Sequence, residues 1–84
     1  MVLYTRIREE HWLRDKHDDG IVVILEDESM WEVRPADRPT TARWLRGSTI
    51  MVSQIQKEAD AYLLTNRTEG EAARANYIGQ IRAA

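Results

Sequence analysis

The sequence predicts a mostly β fold: a small antiparallel barrel of five to six strands, SH3-like or OB-like, with a short helical turn. Three observations lead there. A five-residue apolar run, Ile21 to Leu25, meets an alternating run, Met30 to Val33, across the acidic turn Glu26-Asp27-Glu28-Ser29, which is a hairpin signature. Short strand-like runs bounded by turn residues then recur along the chain at roughly ten-to-fifteen-residue intervals. Finally, 84 residues form one domain, spanning residues 1–84, whose sheet edges are best hidden by closure.

Composition narrows the possibilities further. A chain of this length buries roughly 60–65% of its unfolded surface, so every large apolar residue counts. Phe and Cys are both absent, leaving three Trp and three Tyr as the aromatic volume. Without cysteine there is no disulfide, thiolate nucleophile or Cys-based metal centre. The net charge is −2, yet ten of the twelve basic residues are Arg. That bias suits planar, bidentate or stacked contacts, although a GC-rich genome explains it more simply. Met1-Val2-Leu3-Tyr4 runs at once into Arg6, Arg8, Glu9 and Glu10, without the apolar core of a signal peptide. No stretch approaches the length of a membrane span, and a cytoplasmic location is expected.

The elements follow in order. Leu3, Thr5 and Ile7 alternate with polar neighbours, as in a half-buried strand, and the pattern loosens from Glu9 to Leu13. Asp15 to Gly20 reads as a polar loop ending in glycine. The run from Ile21 to Leu25, apolar at every position, predicts a strand covered on both faces. In the strand Met30–Val33, Trp31 and Val33 share one face and Met30 and Glu32 the other. Pro35 and Pro39 end it, since proline donates no ladder hydrogen bond. A helical or 3₁₀ turn within Thr40–Leu45, capped by Asp37 or Thr40 and closed by Gly47, is expected next. Ser48–Ile55 and Tyr62–Asn66 predict strands, joined by a polar connection from Gln56 to Ala61. Asn66 to Glu71 predicts a hairpin turn with Gly70 at its left-handed position. The alanine-rich tail favours helix by propensity but strand by context. A strand from about Ala72 to Ile78, frayed after Gly79, is the reading adopted.

The stretch Leu25-Glu-Asp-Glu-Ser-Met-Trp-Glu-Val-Arg-Pro-Ala-Asp37, then Trp44-Leu-Arg-Gly-Ser-Thr-Ile50, then Tyr62-Leu-Leu-Thr-Asn66 with Gly70-Glu71, resembles a group of small bacterial hypothetical proteins. Their pattern is roughly L-x-D-G-S-x-W-x-V-x-P-x-D, W-L-x-G-D-x-I-x-V and Y-x-L-x-N-x-x-x-G-E, matching this chain over about residues 20–79. Here Glu28 replaces the usual turn glycine and Ser48 the usual aspartate. The first departure weighs against a tight primed turn, because that glycine normally takes a positive φ. The group has no assigned activity, so the resemblance implies a small β fold and brings no catalytic residue with it.

Among candidate sites the Trp/Arg corner leads. Arg34, Arg38, Arg43, Trp44 and Arg46 lie close together, with Trp31 just upstream, and residues 34–46 hold four Arg against one Asp. Exposed aromatics interleaved with Arg can stack bases and pair phosphates. The stronger account makes Trp31 and Trp44 core residues with Arg side chains laid over them, leaving the Arg residues as the contacts for a partner. The net acidic charge also weighs against nucleic acid. Glu26, Asp27, Glu28 and Glu32 read as a solvated hairpin tip more readily than as a cation site. His11, His17, Asp18 and Asp19 lack metal-ligand spacing, the two histidines standing six apart. Ser29, Ser48 and Ser53 lack a nucleophile-elbow context, and four scattered glycines make no phosphate loop. No catalytic, cofactor or metal site is therefore expected. The leading expectation is a non-enzymatic module that binds a protein or peptide, or self-associates through an edge strand, with the open groove or edge near the 34–47 corner and the C-terminal strand. Single-stranded nucleic-acid binding through the same corner is the alternative.

Overall fold

In the computed structural model, which describes residues 7, 9–55 and 61–81, six antiparallel strands close into a barrel. They are β1 (Glu10–His17), β2 (Val22–Leu25), β3 (Ser29–Val33), β4 (Thr49–Gln54), β5 (Ala61–Asn66) and β6 (Glu71–Gln80). The order around the barrel is β1-β2-β3-β6-β5-β4, and β4 returns to β1 through Glu10↔Met51 and Trp12↔Thr49. Two three-stranded meanders are thus joined by one long connection, residues 34–48, which carries 3₁₀ turn Pro35–Asp37 and helix α1 (Arg38–Thr41). Closure gives each of these six strands a hydrogen-bonded neighbour on both sides.

The period-2 patterns land where the residues direct them. On β3, Trp31 and Val33 are buried while Glu32 is exposed. On β4, Ile50 and Val52 face the core, and Gln54, which shares their parity, has already reached solvent. On β2, Val23 and Leu25 join the central cluster, and Ile24, pointing the other way, is only 4% exposed. The outward face is covered only in part: Ile24 is buried, but Val22, which shares its parity, is half-buried, and Ile21 lies just before the strand.

The tail settles as strand β6, which begins one residue earlier and ends two residues later than expected. Ala73 and Ala75 are its inward residues, paired with Leu64 and Tyr62. Small side chains are needed there because Trp31 already fills the space, with Tyr62 edge-on and Tyr77 tilted, each at a centroid distance of 5.1 Å. Packing overrides the alanine helix preference.

Several boundaries differ from expectation. β1 runs on to His17, so Asp15, Lys16 and His17 are strand rather than loop, paired with Ile24, Val23 and Val22. The reversal is compressed into Asp18, Asp19 and Gly20, all with positive φ (52°, 55° and 94°). Asp tolerates that region better than most residues. The helical turn comes two residues early, at Arg38–Thr41. Asp37 precedes it without capping it; its carboxylate instead accepts the Arg74 N–H at 2.9 Å, tying the corner to β6. Gly47 (φ +87°) turns the chain into β4 and does not end α1. Glu28 takes φ +71° where the resembling pattern has glycine. Its N–H bonds the Leu25 carbonyl at 2.9 Å, giving a three-residue loop that ends in a left-handed residue, not a two-residue primed turn. The expected alternation at Leu3 and Thr5, and the connection at 56–60, fall outside the described residues. No helix among the described residues is long and apolar enough to cross a membrane.

Candidate functional site

The corner is assembled by backbone hydrogen bonds to two strands, β1 and β6. Arg34 N–H donates to the Arg74 carbonyl (2.9 Å), Gly47 N–H to Leu13 (2.8 Å), and Leu13 N–H to Ser48 (2.9 Å). The helical turn docks on Gly20: the buried Thr41 hydroxyl donates to the Gly20 carbonyl at 2.6 Å. A Cβ at Gly20 would stand 2.5 Å from the Ala42 nitrogen, so only glycine allows this approach. The Lys16 ammonium donates to the Thr41 and Ala42 carbonyls, which are C-terminal acceptors of the turn. Residues 38–48 are thereby held as a rigid ledge across one end of β1.

Each residue expected at this site can now be placed. Trp44 is fully buried, and its indole N–H reaches Glu71 Oε1 at 3.1 Å. It is a core residue and offers no surface to a partner, because no part of its ring meets solvent. Arg38 is half-buried, with Nε on the Val33 carbonyl at 2.9 Å. Arg34 is also half-buried. Arg43 is exposed but anchored, one nitrogen on the Pro39 carbonyl (3.1 Å) and another on Glu71 Oε2 (2.8 Å). Arg46 is the most exposed, with a single ion pair to Asp15 at 3.1 Å. The Lys16 backbone N–H and then Arg46 hold the Asp15 carboxyl below its ordinary range.

The five expected residues are therefore one structural unit but not one surface. Arg43 and Arg46 face solvent, and the side chain displayed between them is Leu45, 67% exposed. Leu45 was not legible in the sequence, because placing Trp44 in the core leaves open where its apolar neighbour turns. Nor was Glu71, which binds both Trp44 and Arg43 from twenty-seven and twenty-eight positions away.

The histidine grouping is different from the expected one. His17 is exposed, while His11 is fully buried beside the β2–β3 turn. His11 Nδ1 lies 2.7 Å from Glu26 Oε1 and 4.0 Å from Asp27 Oδ2. These three residues bring ligand-type atoms within 4.8 Å of one another. The oxygens are already engaged: Glu26 Oε1 also accepts the Trp12 N–H, and Asp27 Oδ1 accepts both the N–H and the hydroxyl of Ser29. Ser29 Oγ in turn accepts the Trp31 indole N–H at 2.9 Å. The acidic hairpin tip is thus half internal, fastening His11 and Trp31, with only Glu28 exposed.

No family model, curated protein or solved structure matches this chain.

Proposed function

We propose that this chain is a non-enzymatic interaction module whose contact surface is the ledge from Arg43 to Arg46, with a protein as its partner. The observation that carries this reading is Leu45, two-thirds exposed at the tip of a rigid segment and flanked by two guanidinium groups. An apolar side chain held in water on a preorganised loop loses little conformational freedom on docking. Arg43 and Arg46 would form a basic rim, suiting an apolar recess with acidic margins on the partner. Arg is favoured in such contacts because its planar group keeps donors free after one ion pair. Nucleic acid is a poorer fit: the corner tryptophan is buried and cannot stack a base, and Glu71 and Asp15 already offset the two exposed cations.

A photocrosslinking residue placed at Leu45 tests this in cells. The expected outcome is a discrete adduct that is absent when the probe stands at exposed Glu32 on β3, and that disappears in the Arg43→Glu/Arg46→Glu variant. Equal labelling at the two positions would refute the reading. An adduct at twice the chain mass would identify the partner as a second copy. A low-salt oligonucleotide titration is expected to leave the Trp fluorescence unchanged.

A further inference from the structure

We propose that a second site, on the outer face of β1 and β4, binds a neutral sugar ring, with Trp12 as its stacking platform. Two strands and the β5–β6 turn contribute side by side. Trp12 on β1 is paired with Thr49 on β4, and Thr49 accepts the backbone N–H of Arg67, just past β5, at 2.8 Å. Glu10 stands two residues before Trp12, on the same outward face. Glu10, Thr49, Arg67 and Thr68 line a surface pocket of about 330 Å³, at the small end of the range for small-molecule sites; Trp12 does not line it but neighbours Glu10 and Thr49 on the same outward face.

The chemistry of these groups selects the ligand. Among the described residues neither the Glu10 carboxylate nor the Arg67 guanidinium has a side-chain partner, and they are not paired with each other, although both line one pocket. A lone anion would meet Glu10, and a lone amine would meet Arg67. A neutral ring with neighbouring hydroxyls satisfies both, donating to the carboxylate and accepting from the guanidinium. The Thr68 hydroxyl already accepts the Thr49 N–H at 3.0 Å, which leaves its own proton available for a ligand oxygen.

Trp12 separates a sugar from a zwitterion such as a free amino acid. Its side chain is 53% exposed, whereas Trp31 and Trp44 are fully buried. The negative face of an indole attracts weakly positive C–H groups, which one face of a pyranose presents as a flat apolar surface. The backbone that carries the indole is fixed: Trp12 N–H bonds Glu26 Oε1 at 3.2 Å, and its carbonyl accepts the Glu26 N–H at 3.0 Å. This site shares no residue with the Leu45 ledge and stands or falls separately from it.

The test is a ¹H–¹⁵N titration of the whole chain with glucose, galactose, mannose, N-acetylglucosamine, cellobiose and maltose. Glutamine and inorganic phosphate serve as the zwitterionic and anionic alternatives. The expected result is a saturable shift of the Trp12 indole and the Thr49, Arg67 and Thr68 amides with at least one saccharide. The buried indoles of Trp31 and Trp44 should stay in place. Trp12→Ala should weaken that binding about tenfold, the scale of one aromatic-face contact. Arg67→Ala and Glu10→Gln, both surface changes that keep the fold, should each weaken it as well. No response to any of the six saccharides up to their solubility overturns the proposal, as does a response of the same resonances to glutamine or phosphate instead.

Discussion

Trp31 and Trp44 have equal burial but opposite surroundings. Both are fully buried, and both indole N–H groups are satisfied. Trp31 sits among Tyr62 and Tyr77, and its hydrogen bond leads inward, through Ser29 and Asp27, to the turn that also faces His11. Trp44 reaches Glu71, which is shared with the solvent-facing Arg43. The first fastening is internal throughout. The second begins in the core and ends at the surface, so its outer members can change while the core stays closed. That difference is why the proposed contact surface is placed at the corner and not at the hairpin tip.

The comparison can be broken most forcefully at the rings themselves. Trp31→Ala is expected to cost about 4 kcal/mol or more in urea unfolding, because two tyrosines lose their partner and a cavity is left. Trp44→Ala should cost about 3 kcal/mol, since the adjoining ledge can partly collapse into the gap. Equal losses would show that the corner is as tightly packed as the hairpin side. Gly20→Ala comes next, at about 2–3 kcal/mol, because φ is +94° and the new Cβ meets the Ala42 backbone. Its damage should fall on the ledge, with amide exchange accelerating at residues 38–48 before the β2–β3 hairpin.

Smaller changes sharpen the contrast at its outer end. Glu71→Ala should cost about 1–2 kcal/mol by leaving the buried Trp44 indole N–H without an acceptor, whereas Arg43→Ala should stay below about 0.5 kcal/mol. A double-mutant cycle measures the coupling, and similar single losses would mean that the ion pair matters more than the indole bond. Glu28→Gly should raise stability by up to about 1 kcal/mol, read from the urea midpoint, since glycine occupies φ +71° without strain. The exposed Arg14–Glu28 pair, at 3.8 Å, loses almost nothing in exchange.

The smallest effect is one of pH. Asp15 is held below its ordinary carboxylate pKa, first by the Lys16 N–H and then by Arg46. A depressed folded-state pKa stabilises above the unfolded value, and that contribution fades as pH falls through the depressed one. Arg46→Ala should therefore move the Asp15 carboxyl titration, followed by NMR, only part of the way back toward the ordinary value. A full return would assign the effect to Arg46 alone.

Most of the strands were legible because alternation is a local signal. Met30 to Val33 and Ser48 to Ile55 state their own faces, and the prolines mark where β3 stops. The tail was readable only by weighing position against propensity, since alanine is ambiguous until its neighbours are known. The candidate site was legible in part. The arginines of the corner were visible as a cluster, but Leu45 as its exposed tip was not, and neither was the pocket lined by Glu10, Thr49, Arg67 and Thr68.

By itself, then, the sequence determined a small antiparallel β structure with a hairpin at its centre and an arginine-rich corner, because period-2 patterning, turn residues and prolines act over a few positions. Only the tertiary structure decided that Trp12 is the exposed tryptophan, that His11 answers to Glu26 rather than to Asp18, and that Glu71 holds the corner. Those outcomes depend on closure of the barrel, which brings β3 against β6 and β4 against β1. Pairings over such separations leave no periodic trace in the chain that makes them.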